Sequence, residues 1–128
     1  MKYTIPEIPP SNNRFIGRMN RWEYQKQKKY WANLIAAICR PKPRAPLEKA
    51  VVKLCYYFPD KRRRDPDNYS GKMILDGLVA EGIIKDDSFT NIDLLLSGKY
   101  DRLLPRTEIT IELVETESQC RKSVAKKK

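Results

Sequence analysis

Two pairs of closely spaced aspartates are the side chains of this sequence best suited to chemistry. Asp65 and Asp67 directly follow four consecutive cations at residues 61–64, and Asp86 and Asp87 come about twenty residues later. Carboxylate oxygens are the ligands that hard ions such as Mg²⁺ prefer, and clustered cations hold phosphates. A metal held in this way activates water and offsets charge in a transition state. The combination suits hydrolysis of phosphodiesters.

Both aspartate pairs also have an ordinary structural interpretation. Asp65 before Pro66 is typical of a helix N-cap, and the Asp86, Asp87, Ser88 sequence is typical of a turn. A helix N-terminus carries partial positive charge and by itself disfavours a cation, so two or three ionised carboxylates are needed to outweigh it. Composition and spacing alone leave the structural and the metal-binding interpretations both open.

A lysine on the second predicted helix is a further candidate for the same site. Lys72 and Asp76 are four residues apart, which makes them neighbours on one helix face, and that face lies near Asp65. An ammonium group in this position suits orientation of an attacked phosphate or stabilisation of a leaving oxygen.

The composition limits the classes of chemistry and of partner. The 128 residues include 26 Lys and Arg against 16 Asp and Glu, and the formal charge of +10 favours a polyanion such as nucleic acid. No His is present, which excludes Ser-His-Asp and Cys-His catalysis. Cys39, Cys55 and Cys120 form no CxxC pair, so neither a disulfide framework nor structural zinc is indicated. No apolar stretch is long enough for a membrane helix, and we expect a soluble, cytoplasmic protein.

The elements that would position these residues indicate one compact α+β domain at residues 1–117, followed by a basic, disordered tail at 118–128. Apolar periodicity predicts helices and strands as follows: an edge strand at 2–8, a helix at about 21–40, a central strand at 50–58, and a helix at about 66–81. Two more strands, at 91–100 and 107–115, are predicted to form an antiparallel pair. The result is a small mixed sheet packed with two main helices.

The apolar stripes of the two helices predict which side chains are buried. The stripe of the second helix consists of Met73, Ile74, Leu75 and Leu78, and that of the first consists of Trp22, Trp31, Leu34, Ile35 and Ile38. Tyr24, Tyr30 and Trp31 lie among lysines and have the chemistry for base stacking, but a helix face against a sheet uses the same residues. We favour core packing for these aromatics.

Three segments together resemble the RusA family of Holliday-junction resolvases. They are PPSNNR at residues 9–14, PDKRRRDPDN at 59–68 and ILDGLVAEGIIKDDS at 74–88, in the family's order. The resemblance implies a compact α/β homodimer that binds four-way DNA junctions and, with Mg²⁺ or else Mn²⁺, introduces paired nicks of opposite polarity. It also implies a role in DNA recombination and repair, often on prophage-derived elements.

The resemblance also assigns roles to particular residues. The family's metal-binding aspartates fall on Asp65, Asp67 and Asp87, with Asp86 as the alternative to Asp87 if the loop is shifted by one residue. The family's functional lysine usually follows the second aspartate by four residues, whereas here Lys72 comes one residue later. An insertion at residues 69–71 explains the offset and predicts a π-bulge or a shifted helix start. Contacts with DNA are predicted for the following residues: Asn12, Asn13, Arg14, Arg62, Arg63, Arg64 and Lys72.

Two other functions are compatible with the composition. A non-catalytic nucleic-acid-binding protein of a mobile element requires only the basic surface and predicts salt-dependent binding without nicking. A scaffold or regulatory protein that keeps the resolvase fold without activity is the other. The presence of Asp65, Asp67 and Asp87 together argues against this last function.

Overall fold

The computed structural model describes residues 1–12 and 21–114 of the chain. The elements in chain order are β1 (Lys2–Ile5), α1 (Arg21–Ile38), β2 (Ala50–Phe58), a short 3-10 helix (Pro66–Tyr69), α2 (Lys72–Ala80), β3 (Ile92–Tyr100) and β4 (Arg106–Leu113). A single domain with a four-stranded mixed sheet and two α-helices confirms the predicted α+β class. The predicted contact residues Asn13 and Arg14 and the predicted tail at 118–128 lie outside the described residues.

The sheet has the strand order β1-β4-β2-β3. The edge position predicted for the first strand and the central position predicted for β2 are confirmed. The predicted antiparallel pair of the last two strands is wrong, because β2 lies between them, parallel to β3 and antiparallel to β4. Consecutive strands often pair, but here β2 is long enough to occupy both partners along nearly their whole length.

The core lies between one face of the sheet and the two helices. Its largest fully buried side chains include Val52 and Leu54 of β2, Ile109 and Ile111 of β4, Trp31 and Ile35 of α1, and Ile74 and Leu78 of α2. Alternate residues of β2 point to the opposite face, where Lys53 forms an ion pair with Glu112 of β4. The sheet therefore has one face packed against the helices and an opposite face that no described helix covers.

Most of the predicted helix stripes are confirmed. Met73, Ile74, Leu75 and Leu78 of α2 are buried, as are Trp31 and Ile35 of α1, while Leu34 and Ile38 pack against the core. The prediction for Trp22 is wrong, because its side chain is 72% exposed and Lys26 lies over its ring. Within the described residues, neither helix is long and apolar enough to cross a membrane.

The buried thiol of Cys39 provides a test of this packing. Burial raises the pKa of Cys39 to about 11, whereas Cys55 is only half-buried. The thiolate is the reactive form, so we expect a maleimide or disulfide reagent at mildly alkaline pH to label Cys55 and leave Cys39 unlabelled until the protein is unfolded. Peptide mapping of the labelled protein measures this. Equal labelling of both residues under native conditions would show that α1 does not end in the core as described.

Candidate functional site

The loop at residues 59–65 follows β2 and contains the four cations, and contacts with Asp60 stabilise its conformation. Asp60 accepts a hydrogen bond from the Arg62 backbone N–H at 3.1 Å and forms ion pairs with the Arg62 and Arg64 side chains. The Arg62 N–H, then the Arg62 and Arg64 side chains, lower the pKa of the Asp60 carboxyl. The loop is thereby held by its own charges.

The three consecutive arginines do not have the same environment. Arg62 and Arg63 have side chains that are 80% and 89% exposed, which leaves them accessible to a phosphate backbone. Arg64 is only 14% exposed, because its guanidinium stacks 4.3 Å from the centroid of the Phe58 ring and binds backbone carbonyls of the loop. All three arginines are predicted to contact DNA, but the position of Arg64 favours a structural role.

Asp65 and Asp67 lie on either side of Pro66 at the start of the 3-10 helix. Asp65 has an extended backbone and makes no side-chain hydrogen bond to that helix, so its predicted N-cap contact is absent. Its carboxylate instead lies 3.2 Å from the Arg63 guanidinium. The Asp67 carboxylate is exposed, while its backbone carbonyl accepts a hydrogen bond of 3.0 Å from Asn12. Neither carboxylate is used by helix capping, so both are accessible to a cation.

Asn12 is the predicted DNA contact of the early loop that the structure describes. Its amide binds the Asp67 carbonyl and also lies 3.2 Å from the Ser70 hydroxyl. Asn12 therefore holds the early loop beside Asp65 and Asp67. The first two of the three segments that resemble the RusA family are in contact here.

The predicted helix at 66–81 is wrong as a single element. The 3-10 helix ends at Tyr69, and Gly71 has a left-handed backbone with φ +80° immediately before α2 begins at Lys72. A Cβ at Gly71 would overlap the buried Leu54 side chain of β2, and the positive φ strains other residues, so both features favour glycine here. Of the two explanations predicted for the lysine offset, the shifted helix start is the one found.

Lys72 joins two segments that are distant in sequence. Its ammonium lies 3.2 Å from Asp76 and 3.8 Å from Asp87, and it is 57% exposed. The hydrogen bond and charge of Asp76, followed by the charge of Asp87, raise the pKa of Lys72. Lys28 of α1 lies 3.7 Å from the other Asp76 oxygen, which is buried and makes no hydrogen bond to any described residue. The sequence gave no signal for Lys28, because its distance from Asp76 depends on how α1 packs against α2.

The two carboxylates of the second pair have different surroundings. The Asp86 side chain accepts a hydrogen bond of 2.8 Å from the backbone N–H of the next residue, Asp87. The Asp87 side chain is 26% exposed and faces Lys72. This arrangement favours Asp87 over Asp86 as the functional residue.

The predicted convergence of three carboxylates is not present in this arrangement of side chains. Asp65 lines a cavity of about 100 Å³ beside Tyr56 and Tyr69, whereas Asp87 lines a separate groove of about 960 Å³ along β3. Across residues 1–12 and 21–114, no three acidic or cysteine side chains lie close enough to hold a metal ion. The oxygen donors suit Mg²⁺ in type, but their positions do not form a complete ligand set.

A comparison with known protein families shows which proteins the chain resembles. The sequence matches the family described as endodeoxyribonuclease RusA over residues 6–112, which is most of the chain. The chain belongs to the RusA family. Family membership supports an endonuclease that resolves Holliday junctions and so acts on branched DNA. The RusA match covers all the predicted site residues, from Asn12 to Asp87. Among curated proteins, no match to the chain is found.

Proposed function

We propose that this protein is a Mg²⁺-dependent endodeoxyribonuclease that resolves four-way DNA junctions by paired nicks in recombination and repair, with Mn²⁺ as an alternative ion. The observation that best supports the proposed site is the position of Lys72. Its ammonium group links the start of α2 to Asp87 in the loop before β3. Asp76 and Asp87, the two carboxylates next to this ammonium group, both belong to the third segment that resembles the family.

The proposed metal ligands are Asp65, Asp67 and Asp87. Arg63 lies beside Asp65 and Lys72 lies beside Asp87, in partly exposed ion pairs that contribute only about 0–1 kcal/mol each. A cation can therefore displace either partner at little cost, but the proposal also requires the loop of Asp87 to approach Asp65 and Asp67 when the ion binds. When bound, the ion would supply an activated water and positive charge next to the phosphate.

The protein side chains have roles of their own in this proposal. Arg62 and Arg63 are exposed enough to bind phosphates on the DNA backbone. Lys72 orients the attacked phosphate, and Asp76 holds the Lys72 ammonium through its 3.2 Å contact. We also propose a homodimer acting in the cytoplasm, because two copies of the site related by a twofold axis match the symmetry of a four-way junction.

Cleavage of synthetic DNA tests the proposal directly. We expect the full-length protein with Mg²⁺ or Mn²⁺ to nick a four-way junction in two symmetric strands, to leave linear duplex of the same sequence intact, and to be inactive in EDTA. Flap DNA measures selectivity among branched substrates. Tight, salt-dependent binding to the junction without nicking in any divalent ion would contradict the nuclease. That result would favour the non-catalytic binding protein, a function consistent with the separation of the carboxylates.

A further inference from the structure

The outer edge of β3 is long and uncovered. β3 is the last strand in the sheet order, and its nine residues change from a buried first residue to four exposed residues at the end. The opposite edge is the much shorter β1, with four residues. Within the described part of the chain, no segment pairs with the outer edge of β3, so its outward N–H and C=O groups have no strand partner. Edges of this length are usually covered, because they otherwise drive aggregation.

Exposed apolar side chains are concentrated along this same edge. Leu95 in the middle of β3 is 53% exposed, Phe89 before the strand is fully exposed, and Leu103 and Leu104 after it are 86% and 66% exposed. The groove of about 960 Å³ runs along the first half of the strand and is lined by Phe89 and Leu95 among others. Exposed apolar side chains before and in the middle of an open strand are typical of an interface.

We propose that this edge pairs antiparallel with β3 of a second copy of the chain, so that the two sheets join into one of eight strands. Only the centred register pairs all nine residues. It sets the following residues of the two copies opposite each other: Ile92 and Tyr100, Asp93 and Lys99, Leu94 and Gly98, Leu95 and Ser97, and Leu96 and its own copy.

Charge makes this register self-complementary. Asp93 lies opposite Lys99 of the partner subunit, and the twofold axis repeats the pair. Asp93 makes no ion pair within the described residues, and Lys99 lies 5.7 Å from the Tyr57 ring centroid, a loose contact at the surface. A parallel pairing in register would instead set each of the two charges against its own copy, which is destabilising. The charges therefore select the antiparallel arrangement.

The register also pairs apolar residues along the strand. Leu94 lies opposite Gly98 of the partner subunit, and Leu96 meets its own copy at the axis. An unrelated strand would account for the open edge but not for the self-complementary charges of Asp93 and Lys99.

Paired charge reversals test the interface. We expect the wild-type full-length protein to sediment as a dimer, and D93K or K99D alone to weaken dimerisation by about tenfold or more, because each turns two attractive pairs into repulsive ones. The double variant D93K/K99D restores opposite charges and should recover wild-type dimerisation. This inference rests on the proposed homodimer but not on the proposed cleavage, because sedimentation is measured without DNA or metal.

A second pair of variants separates the interface from folding. Leu95→Lys places two ammonium groups near the axis and should give a folded monomer, whereas Leu113→Lys, at a 65% exposed leucine of β4, should remain dimeric. Circular dichroism and thermal unfolding confirm that both variants fold. A wild-type protein that stays monomeric overturns the inference, as does a dimer that is insensitive to single reversals or is not rescued by the double variant. Junction cleavage by such a protein would leave the proposed function standing.

Discussion

Asp87→Asn is expected to slow cleavage of a four-way junction by on the order of 10²-fold to 10³-fold, the range found when one group that stabilises transition-state charge is removed. The substitution keeps the size of the side chain and removes its charge. Asp87 faces Lys72 and is accessible, so the loss of its carboxylate removes both a proposed metal ligand and a partner of that ammonium. Single-turnover cleavage at saturating protein measures the effect on the chemical step.

Asp86→Asn is the matched control for this prediction. Its Oδ1 accepts the hydrogen bond from the Asp87 N–H, and an asparagine oxygen accepts the same bond, so the turn should persist and cleavage should stay near the wild-type rate. Junction binding in EDTA should be retained by both variants, and tightened by Asp87→Asn, because a negative charge near phosphate has been removed. Reversed behaviour of the two variants would assign the role to Asp86. If Asp87→Asn and Asp67→Asn both cleave like wild type, the carboxylate mechanism is wrong.

The sequence was informative where one local pattern determines an element. The concentration of β-branched and aromatic residues in a short segment predicts β2, and the apolar stripe of α2 predicts its four large buried side chains. The candidate site residues were assigned from two aspartate pairs near a run of cations and from the resemblance of three segments to the RusA family. Both kinds of inference depend on residues close together in the chain.

The features that were missed depend on contacts between distant segments. The pairing of β3 and β4 with β2 rather than with each other leaves no local signal, since both strands have ordinary patterns. The role of Arg64 depends on the Phe58 ring beneath it, and the run of four cations looks uniform in sequence. The break in the second helix is similar, because the apolar period extends through a single glycine without interruption and only the closeness of β2 shows why that glycine is required.

Gly71→Ala is expected to destabilise the protein by about 2–5 kcal/mol, the sum of two independent costs. A non-glycine residue in a left-handed conformation costs about 1–2 kcal/mol. The added methyl group also overlaps Leu54 in the packed core, and overpacking of this kind costs about 1–3 kcal/mol. The Tyr56 hydroxyl lies 3.3 Å from the same Cβ position, is buried without a hydrogen-bond partner among the described residues, and limits movement of the new methyl group on that side. Urea unfolding of the purified variants measures the total.

Gly82→Ala separates the two costs. Gly82 also has a positive φ, +72°, but a Cβ there would make only an ordinary contact of 3.8 Å with Pro46, so this variant should show the conformational cost alone. The difference in unfolding free energy between the variants then measures the steric overlap of Gly71 with β2. Equal destabilisation would mean that the chain does not cross β2 as closely as described. Because α2 begins at the next residue, a backbone shift at Gly71 would displace Lys72, so Gly71→Ala should also slow junction cleavage under conditions where it remains folded, while Gly82→Ala should not.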